Sequence, residues 1–393
     1  MGKIIRHATV VLPDRVATNC DMLIENGLIC AVGHNIPHDG GDNSCCFFGD
    51  IIIPGLIDSH VHGAGGYDIM DGTAESLTAL SQALLREGTT AFLGTTLTSS
   101  VDGLLGVLQN IDDRRIDPSH NSQAELLGVH LEGPFLTHEY KGAHVDKYIA
   151  PSIPGGDVGI LTRLVNAYPG LIRILTFAID RLDTIGLIAF CKSHGIIPAA
   201  GHTAADYTAM SRAATAGVHR ITHGFNAMPG IHHRQPGPMT EALLNDDIEI
   251  ELIADGVHVH PAILEMALRL KHQDKVTLVS DGTRAVGMPD GQYELGGLLT
   301  TVKNGTARLS DGTIAGSAYP LLQGIRTMVQ VMNRPLYEAL RYASLNPARS
   351  LGVADRLGSL ETGKEATFVR LSPSLQVKQV WIKGQMIVES QAQ

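Results

Sequence analysis

Histidines and carboxylates recur in this chain at the ends of short apolar runs. There are 18 histidines, and they cluster. His60-Val61-His62 leaves one such run. Side chains alternate along a strand, so an HxH pair projects both imidazoles to one side, where they can hold one metal ion. Asp58 falls on the same face and can orient a ligand or bind metal itself. Glu132 ends a run in HLEGP, and an ionised carboxylate there is costly unless it is paired or bound to a cation. His202 (AAGHT), His223 (THGFN) and Asp281 (LVSDGT) also follow apolar runs. Taken singly, each has a plainer reading: a salt-bridged Glu, a hydrogen-bonded core His, a helix cap. If they converge, histidine with carboxylate and no cysteine describes a site for zinc or another divalent transition metal, with iron, manganese and cobalt fitting the same donors. Such a site activates water and polarises a carbonyl, with Asp281 as general base and later acid.

Convergence depends on the elements that carry these residues. The apolar runs are Asp50–Ser59, Thr89–Thr96, Glu125–Leu131, Arg173–Asp180, Gly195–Gly201, Gly217–Thr222, Ile248–Ala254 and Lys275–Ser280. Helical patterns such as Ala74–Arg86 and Ala204–Ala216, the latter opened by Thr203, lie between them. Near-continuous apolar strands separated by helices predict a parallel sheet buried on both faces. Eight such units predict a (β/α)8 TIM-type barrel of the metal-dependent hydrolase kind, an α/β fold. Strand C-termini meet on one face of such a barrel, so His60, His62, Glu132, His202, His223, His258 and Asp281 are expected to share that face. Both chain ends read as strands, with Asn26-Gly27 and Lys383-Gly384 at hairpin positions. They predict a small β-sandwich domain from residues 1–53 and 354–393, around a catalytic barrel of 54–353. Gly291–Ile314 reads as a hairpin insertion, followed by helices at Tyr319–Met332 and Leu336–Ala343.

Composition narrows the partners. Forty acidic against 30 basic residues give a net charge of −10, which disfavours nucleic acid. Aromatics are 5% with one Trp, so stacking platforms for single strands are not expected. No apolar run is long enough to span a membrane, and the chain is expected to be cytoplasmic. Five cysteines, two of them adjacent, form no disulfide framework and no CxxC knuckle. On this acidic chain, His232-His233-Arg234 is the candidate phosphate cluster, with a solvated turn as its alternative. His130 and His260 read as supporting residues.

The segments PGLIDSHVHG, HLEGPFL, KGAH, GHT, THGFNAMPGIHHRQPG, IADGVHVHP, LVSDGT and ASLNPARSLG resemble the amidohydrolase superfamily. Within it they resemble the branch that deacetylates N-acetylglucosamine 6-phosphate and N-acetylgalactosamine 6-phosphate. The resemblance covers nearly the whole chain. It implies hydrolysis of the acetamide of an N-acetylhexosamine 6-phosphate, with the gluco substrate as the main reading. The galacto epimer, or a non-catalytic sugar-phosphate sensor, are the alternatives. It implies Glu132, His202 and His223 as ligands of the principal metal, with His60 and His62 adding a second, so one or two ions per subunit. Asp281 would activate water, and His144 in KGAH would polarise the carbonyl. Ala143, Asn226, Ala227, Arg234, His258, Ile314, Ala315 and Gly316 match substrate contacts. The resemblance further implies a homodimer in which Arg234 is lent across the interface. Three places depart from the branch. Asp180 ends the fourth strand where a bridging Lys would stand. Arg284, in Gly282-Thr283-Arg284, is expected near the pocket, and Ala318-Tyr319-Pro320 replaces a serine-rich stretch.

Overall fold

The computed structural model describes residues 2–37, 44–115 and 122–390. Eight parallel strands run in sequence around the central sheet: Leu56–Val61, Thr89–Thr96, Glu125–Glu132, Ile172–Phe177, Ile197–Ala200, Arg220–Ile221, Glu249–Leu252 and Val276–Leu278. The last strand returns to the first through a parallel bridge between Val61 and Gly282 and a bond from Asp281 N to His60 O at 3.0 Å. This is the expected (β/α)8 barrel. Thr89–Thr96 is buried throughout, as a strand covered on both faces must be. The helix Ala74–Arg86 lies where its pattern put it: Thr73 and Ser76 cap each other's backbone, and Leu77, Leu80, Leu84 and Leu85 form the buried stripe.

Two local expectations are corrected. The run Asp50–Ser59 is two strands, divided at Gly55, where a Cβ would lie 2.1 Å from Thr90 Oγ1. Ile51–Pro54 pairs with Phe368–Leu371 of the terminal sheet, and the chain then enters the barrel. The helix after His202 starts at Tyr207, capped by Asp206 rather than Thr203. The Thr203 hydroxyl is engaged by Asp180, so it does not reach the helix's first turn.

Both chain ends build one eight-stranded sheet, in which Ile51–Pro54 lies between Lys3–Val11 and Phe368–Leu371. Its own apolar cluster includes Ile5, Val10, Met22, Ile52, Phe368 and Trp381. At the Asn26-Gly27 and Lys383-Gly384 hairpins both turn residues have positive φ, as type I′ turns require. The predicted hairpin insertion is a four-stranded antiparallel sheet, Gly291–Leu295, Leu298–Lys303, Thr306–Arg308 and Ile314–Ser317. Leu321–Arg326 continues as a π-helical stretch to Val331. Leu336–Leu340 continues likewise to Leu345, and Asn346–Ser350 follows. Among the described residues no helix is long and apolar enough to cross a membrane.

Candidate functional site

The C-terminal ends of the barrel strands bring His60, His62, Glu132, His202, His223 and Asp281 together. Glu132 is the centre. Its Oε1 lies 3.2 Å from His202 Nε2, 3.1 Å from His223 Nε2 and 3.4 Å from His60 Nε2. Its Oε2 lies 3.3 Å from both His62 Nε2 and His144 Nε2. Asp281 Oδ1 faces His62 Nε2 at 3.2 Å and His60 Nε2 at 3.4 Å. His202, His223 and Asp281 have φ of 49°, 29° and 50°, a left-handed conformation rare for residues with a Cβ. Such backbone costs about 1–3 kcal/mol per residue and concentrates at functional sites. Gly316 (φ 62°) packs against this end of the barrel, where a Cβ would lie 2.9 Å from the Asp281 carbonyl oxygen.

The outer ring nitrogens divide the histidines into two kinds. His202 Nδ1 faces the Tyr140 carbonyl at 2.8 Å, and His62 Nδ1 faces the Thr95 carbonyl at 3.2 Å. His60 Nδ1 faces Glu251 Oε2 at 3.1 Å. A carbonyl or carboxylate can only accept, so these three rings carry a proton on Nδ1, which leaves Nε2 as the one nitrogen each can offer to an ion. His144 is reversed. The Thr98 backbone N–H donates to its Nδ1 at 3.1 Å, so the neutral ring aims an Nε2–H inward. Burial lowers the His144 pKa to about 4, keeping it neutral.

This donor set fits a divalent cation. His202 Nε2 and His223 Nε2 stand 3.0 Å apart and both face Glu132 Oε1, and buried His60 Nε2 has no hydrogen-bond partner. Glu132–His202–His223 and His60–His62–Glu132 each group three donors within reach of one ion. Without an ion, burial would lower the His62 pKa, yet Asp281 and Glu132 raise it to about 9. Burial alone would raise the Asp281 pKa, but His62 and His60 hold it well below the usual carboxylate range.

Above this floor opens a cavity of about 490 Å³. Of the substrate residues expected from the sequence, Ala143, His144, Asn226, Ala227, His258, Ile314 and Gly316 line it. Ala315 is buried behind it against Leu97 and Leu295. Arg234 is exposed, 2.7 Å from His233 Nε2, and does not line the cavity. Asp180 accepts from Thr137 Oγ1 at 2.6 Å and from Thr203, holding the loop instead of bridging ligands. Arg284 turns away to Asp71 at 2.8 Å, and Tyr319 reaches the Asn304 carbonyl, so neither lines the cavity. Asp58 accepts from the backbone of His60 and Ser280, and burial pushes its pKa up to about 6. His260 caps the helix Pro261–Leu270. His130 is locked between the Ser59 carbonyl and Thr176 Oγ1.

The sequence reading missed Thr98, Tyr140, Lys141, Glu251 and Asp255. Asp255 accepts from His258 Nδ1 at 2.8 Å and from Ser317 Oγ at 3.0 Å. Lys141 is the only lysine or arginine among the described residues lining the cavity. It stood within the quoted KGAH segment, so a charge count around His144 would have found it.

Comparisons with known proteins agree with this geometry. A model of the amidohydrolase family matches residues 51–387. The N-acetylglucosamine-6-phosphate deacetylase of Bacillus subtilis is 38% identical over 95% of this chain and 94% of its own. The N-acetylgalactosamine-6-phosphate deacetylase of Escherichia coli O157:H7 is 35% identical over 86% and 88%. The structure of the D267A mutant of N-acetyl-D-glucosamine-6-phosphate deacetylase from Mycobacterium smegmatis, in complex with N-acetyl-D-glucosamine 6-phosphate, superposes with a TM-score of 0.90 at 30% identity. That match covers 98% of this chain and 99% of the other. The barrel, its buried cluster of histidines and carboxylates and these likenesses lead to one assignment: the chain belongs to the amidohydrolase family.

Proposed function

We propose that this protein hydrolyses the acetamide of N-acetyl-D-glucosamine 6-phosphate to the amino-sugar phosphate and acetate. The observation that carries this reading is the division of the histidines: one set spends its Nδ1–H outward and turns Nε2 toward Glu132 and Asp281, while His144 accepts on Nδ1 and turns an N–H inward. A metal hydrolase needs both kinds, ligands for an ion and a neutral donor for the carbonyl oxygen. A site that only binds sugar phosphate has no use for Asp281 among the ligands.

Glu132, His202 and His223 are the ligands of the principal ion, and His60 and His62 with Glu132 those of a second. A divalent ion there supplies Lewis acidity for water and for the amide carbonyl. Zinc suits the donors, and iron, manganese and cobalt fit them too. Asp281 accepts the proton of the attacking water as oxygen bonds to the carbonyl carbon. His144 Nε2–H donates to the carbonyl oxygen as negative charge develops. Asp281 then delivers its proton to the nitrogen and the C–N bond breaks; the acid's remaining proton passes to the amine, so that acetate and the ammonium form of the amino sugar leave.

Asn226, Ala227 and His258 line the side of the pocket assigned to the sugar and its phosphate, and Ile314–Gly316 borders the sugar. Arg234 serves the pocket of a second copy in a homodimer, a role supported by its exposure and by its absence from this chain's own cavity wall. We divide the chain into a β-domain of 1–53 and 354–393 and a catalytic barrel of 54–353.

The test is acetate release from N-acetylglucosamine 6-phosphate and N-acetylgalactosamine 6-phosphate in parallel, with unphosphorylated sugars and a chelated sample as controls. Chelator-sensitive release favouring the gluco substrate is expected. Preference for the galacto substrate would replace the substrate and keep the chemistry. No release from metal-loaded protein would overturn the reading.

A further inference from the structure

Beneath the ligand histidines lies a buried charge that the reaction does not use. Glu251, in the seventh barrel strand, is fully buried. Its Oε1 accepts from Arg220 Nε at 2.7 Å. Its Oε2 accepts from His60 Nδ1 at 3.1 Å and from the His223 backbone N–H at 3.2 Å. Arg220 is equally buried. It donates to Ser59 Oγ at 2.8 Å and Ser350 Oγ at 2.9 Å, and pairs with Glu249 at 3.2 Å. One carboxylate thus ties the first strand to the sixth.

Glu251, His60 and His130 could be taken for a metal cluster of their own. Their hydrogen bonds argue otherwise. His130 Nδ1 faces the Ser59 carbonyl at 3.1 Å and its Nε2 faces Thr176 Oγ1 at 2.6 Å, while the facing His60 nitrogen carries a proton toward Glu251. The consequence lies at the other side of the ring. With Nδ1–H held by a carboxylate, Nε2 is the one nitrogen His60 can offer to an ion, and it lies 3.4 Å from both Glu132 Oε1 and Asp281 Oδ1 with no hydrogen-bond partner. A carboxylate behind a histidine fixes the tautomer, holds the ring and makes the inner nitrogen a stronger donor. His62 and His202 lean on neutral backbone carbonyls instead.

We propose that Glu251, braced by Arg220, is the positioning residue that makes His60 a ligand and so creates the second divalent-ion position beside Glu132. This rests on the metal-hydrolase reading and goes beyond it by assigning the second ion to a residue that touches neither ion nor substrate.

The test is zinc content by mass spectrometry and zinc affinity by chelator competition, on protein shown to be folded by near-ultraviolet circular dichroism. Wild type should hold two ions per chain and His60→Asn one. Glu251→Gln should weaken the second ion roughly 10–100-fold and leave the first at wild-type affinity. Because Glu251→Gln leaves buried Arg220 short of a counter-charge, the double variant Glu251→Gln/Arg220→Met provides a second arm. It removes both charges and keeps an acceptor for His60, and it should show the same selective loss. Two ions at wild-type affinity in either folded variant, or equal weakening of both ions, would overturn the proposal. A wild type that binds one ion and still releases acetate would also overturn it, while leaving the deacetylase reading intact.

Discussion

The floor of the pocket and its rim are built on opposite terms. On the floor, His60, His62, Glu132, His202 and His223 are all buried, and Tyr140, Thr95 and Glu251 fix the outer nitrogens of three of the rings. At the rim, His138 and Asp146 pair while 65% and 59% exposed and Lys141 stands 4.0 Å from the same Asp146; Arg234, outside this chain's own cavity, leans on His233 in solvent. Exposed pairs of this kind contribute little to stability, because water screens them and ordering the side chains offsets the attraction. The floor is preorganised before any ligand arrives, whereas the rim's charges are free to be rearranged by substrate or a second copy. Chemistry should therefore fail abruptly when the floor is altered, and recognition should fail by degrees when the rim is.

The sharpest way to break that contrast is Asp281→Asn. It removes the proton carrier and keeps the shape, so kcat should fall by about 10²–10⁴-fold with metal content unchanged. Turnover at wild-type rates would remove Asp281 from the chemistry. His144→Asn comes next. It deletes the N–H that Thr98 holds toward the site, and a lost donor to a developing oxyanion costs about 10²–10³-fold in kcat. If KM moved instead of kcat, His144 would belong with substrate recognition.

At the rim the largest effect belongs to Arg234→Ala. A charge-assisted hydrogen bond of about 1.5–3 kcal/mol corresponds to a rise in KM of about 10–100-fold for the phosphorylated sugar. The unphosphorylated sugar should be unaffected, and equal effects on both would detach Arg234 from the phosphate. Mixing Arg234→Ala with Asp281→Asn chains also tests the second copy: a shared site regains activity in mixed dimers, and a self-contained one does not.

How far the sequence revealed each region follows from the same contrast. The barrel was legible because its strands are near-continuous apolar runs that end in His, Glu or Asp, and those endings mark the floor. Strand ends were less so: Gly217–Thr222 reads as six residues, yet only Arg220–Ile221 pairs as strand. Thr203 was misread as a cap because its partner, Asp180, arrives from another strand. The supports of the floor were hidden for that reason too. Glu251 is 191 residues from His60, and Thr98 is 46 from His144, so no local pattern joins them. The rim's residues could be quoted as motifs, but pairing among exposed side chains leaves no periodic trace.

His258 lies between floor and rim. Burial would lower its pKa, but Asp255 reverses that and the net shift is upward. A raised pKa means that the ring keeps its positive charge to a higher pH than a free imidazole does and loses it as pH climbs further. Affinity for the phosphorylated sugar should therefore be full while the ring is charged and decline as pH rises past its raised pKa, by about tenfold at the low end of the charge-assisted range. A KM profile for wild type and His258→Asn checks this. The variant should be flat where wild type bends, and the unphosphorylated sugar should show no bend.

Lys141→Ala tests the contrast at its weakest point. The side chain is 38% exposed and sits at the mouth of an acidic cavity that also presents Glu139 and Asp311. Its field attracts an anionic substrate, yet water and salt screen it over about 8–10 Å at ordinary ionic strength. The expected change is a rise in KM below about fivefold at low salt, vanishing by 0.5 M salt, with kcat unchanged. A larger rise that persists in salt would mean that Lys141 bonds the phosphate directly in the closed complex. The rim would then be ordered by the substrate into something as rigid as the floor.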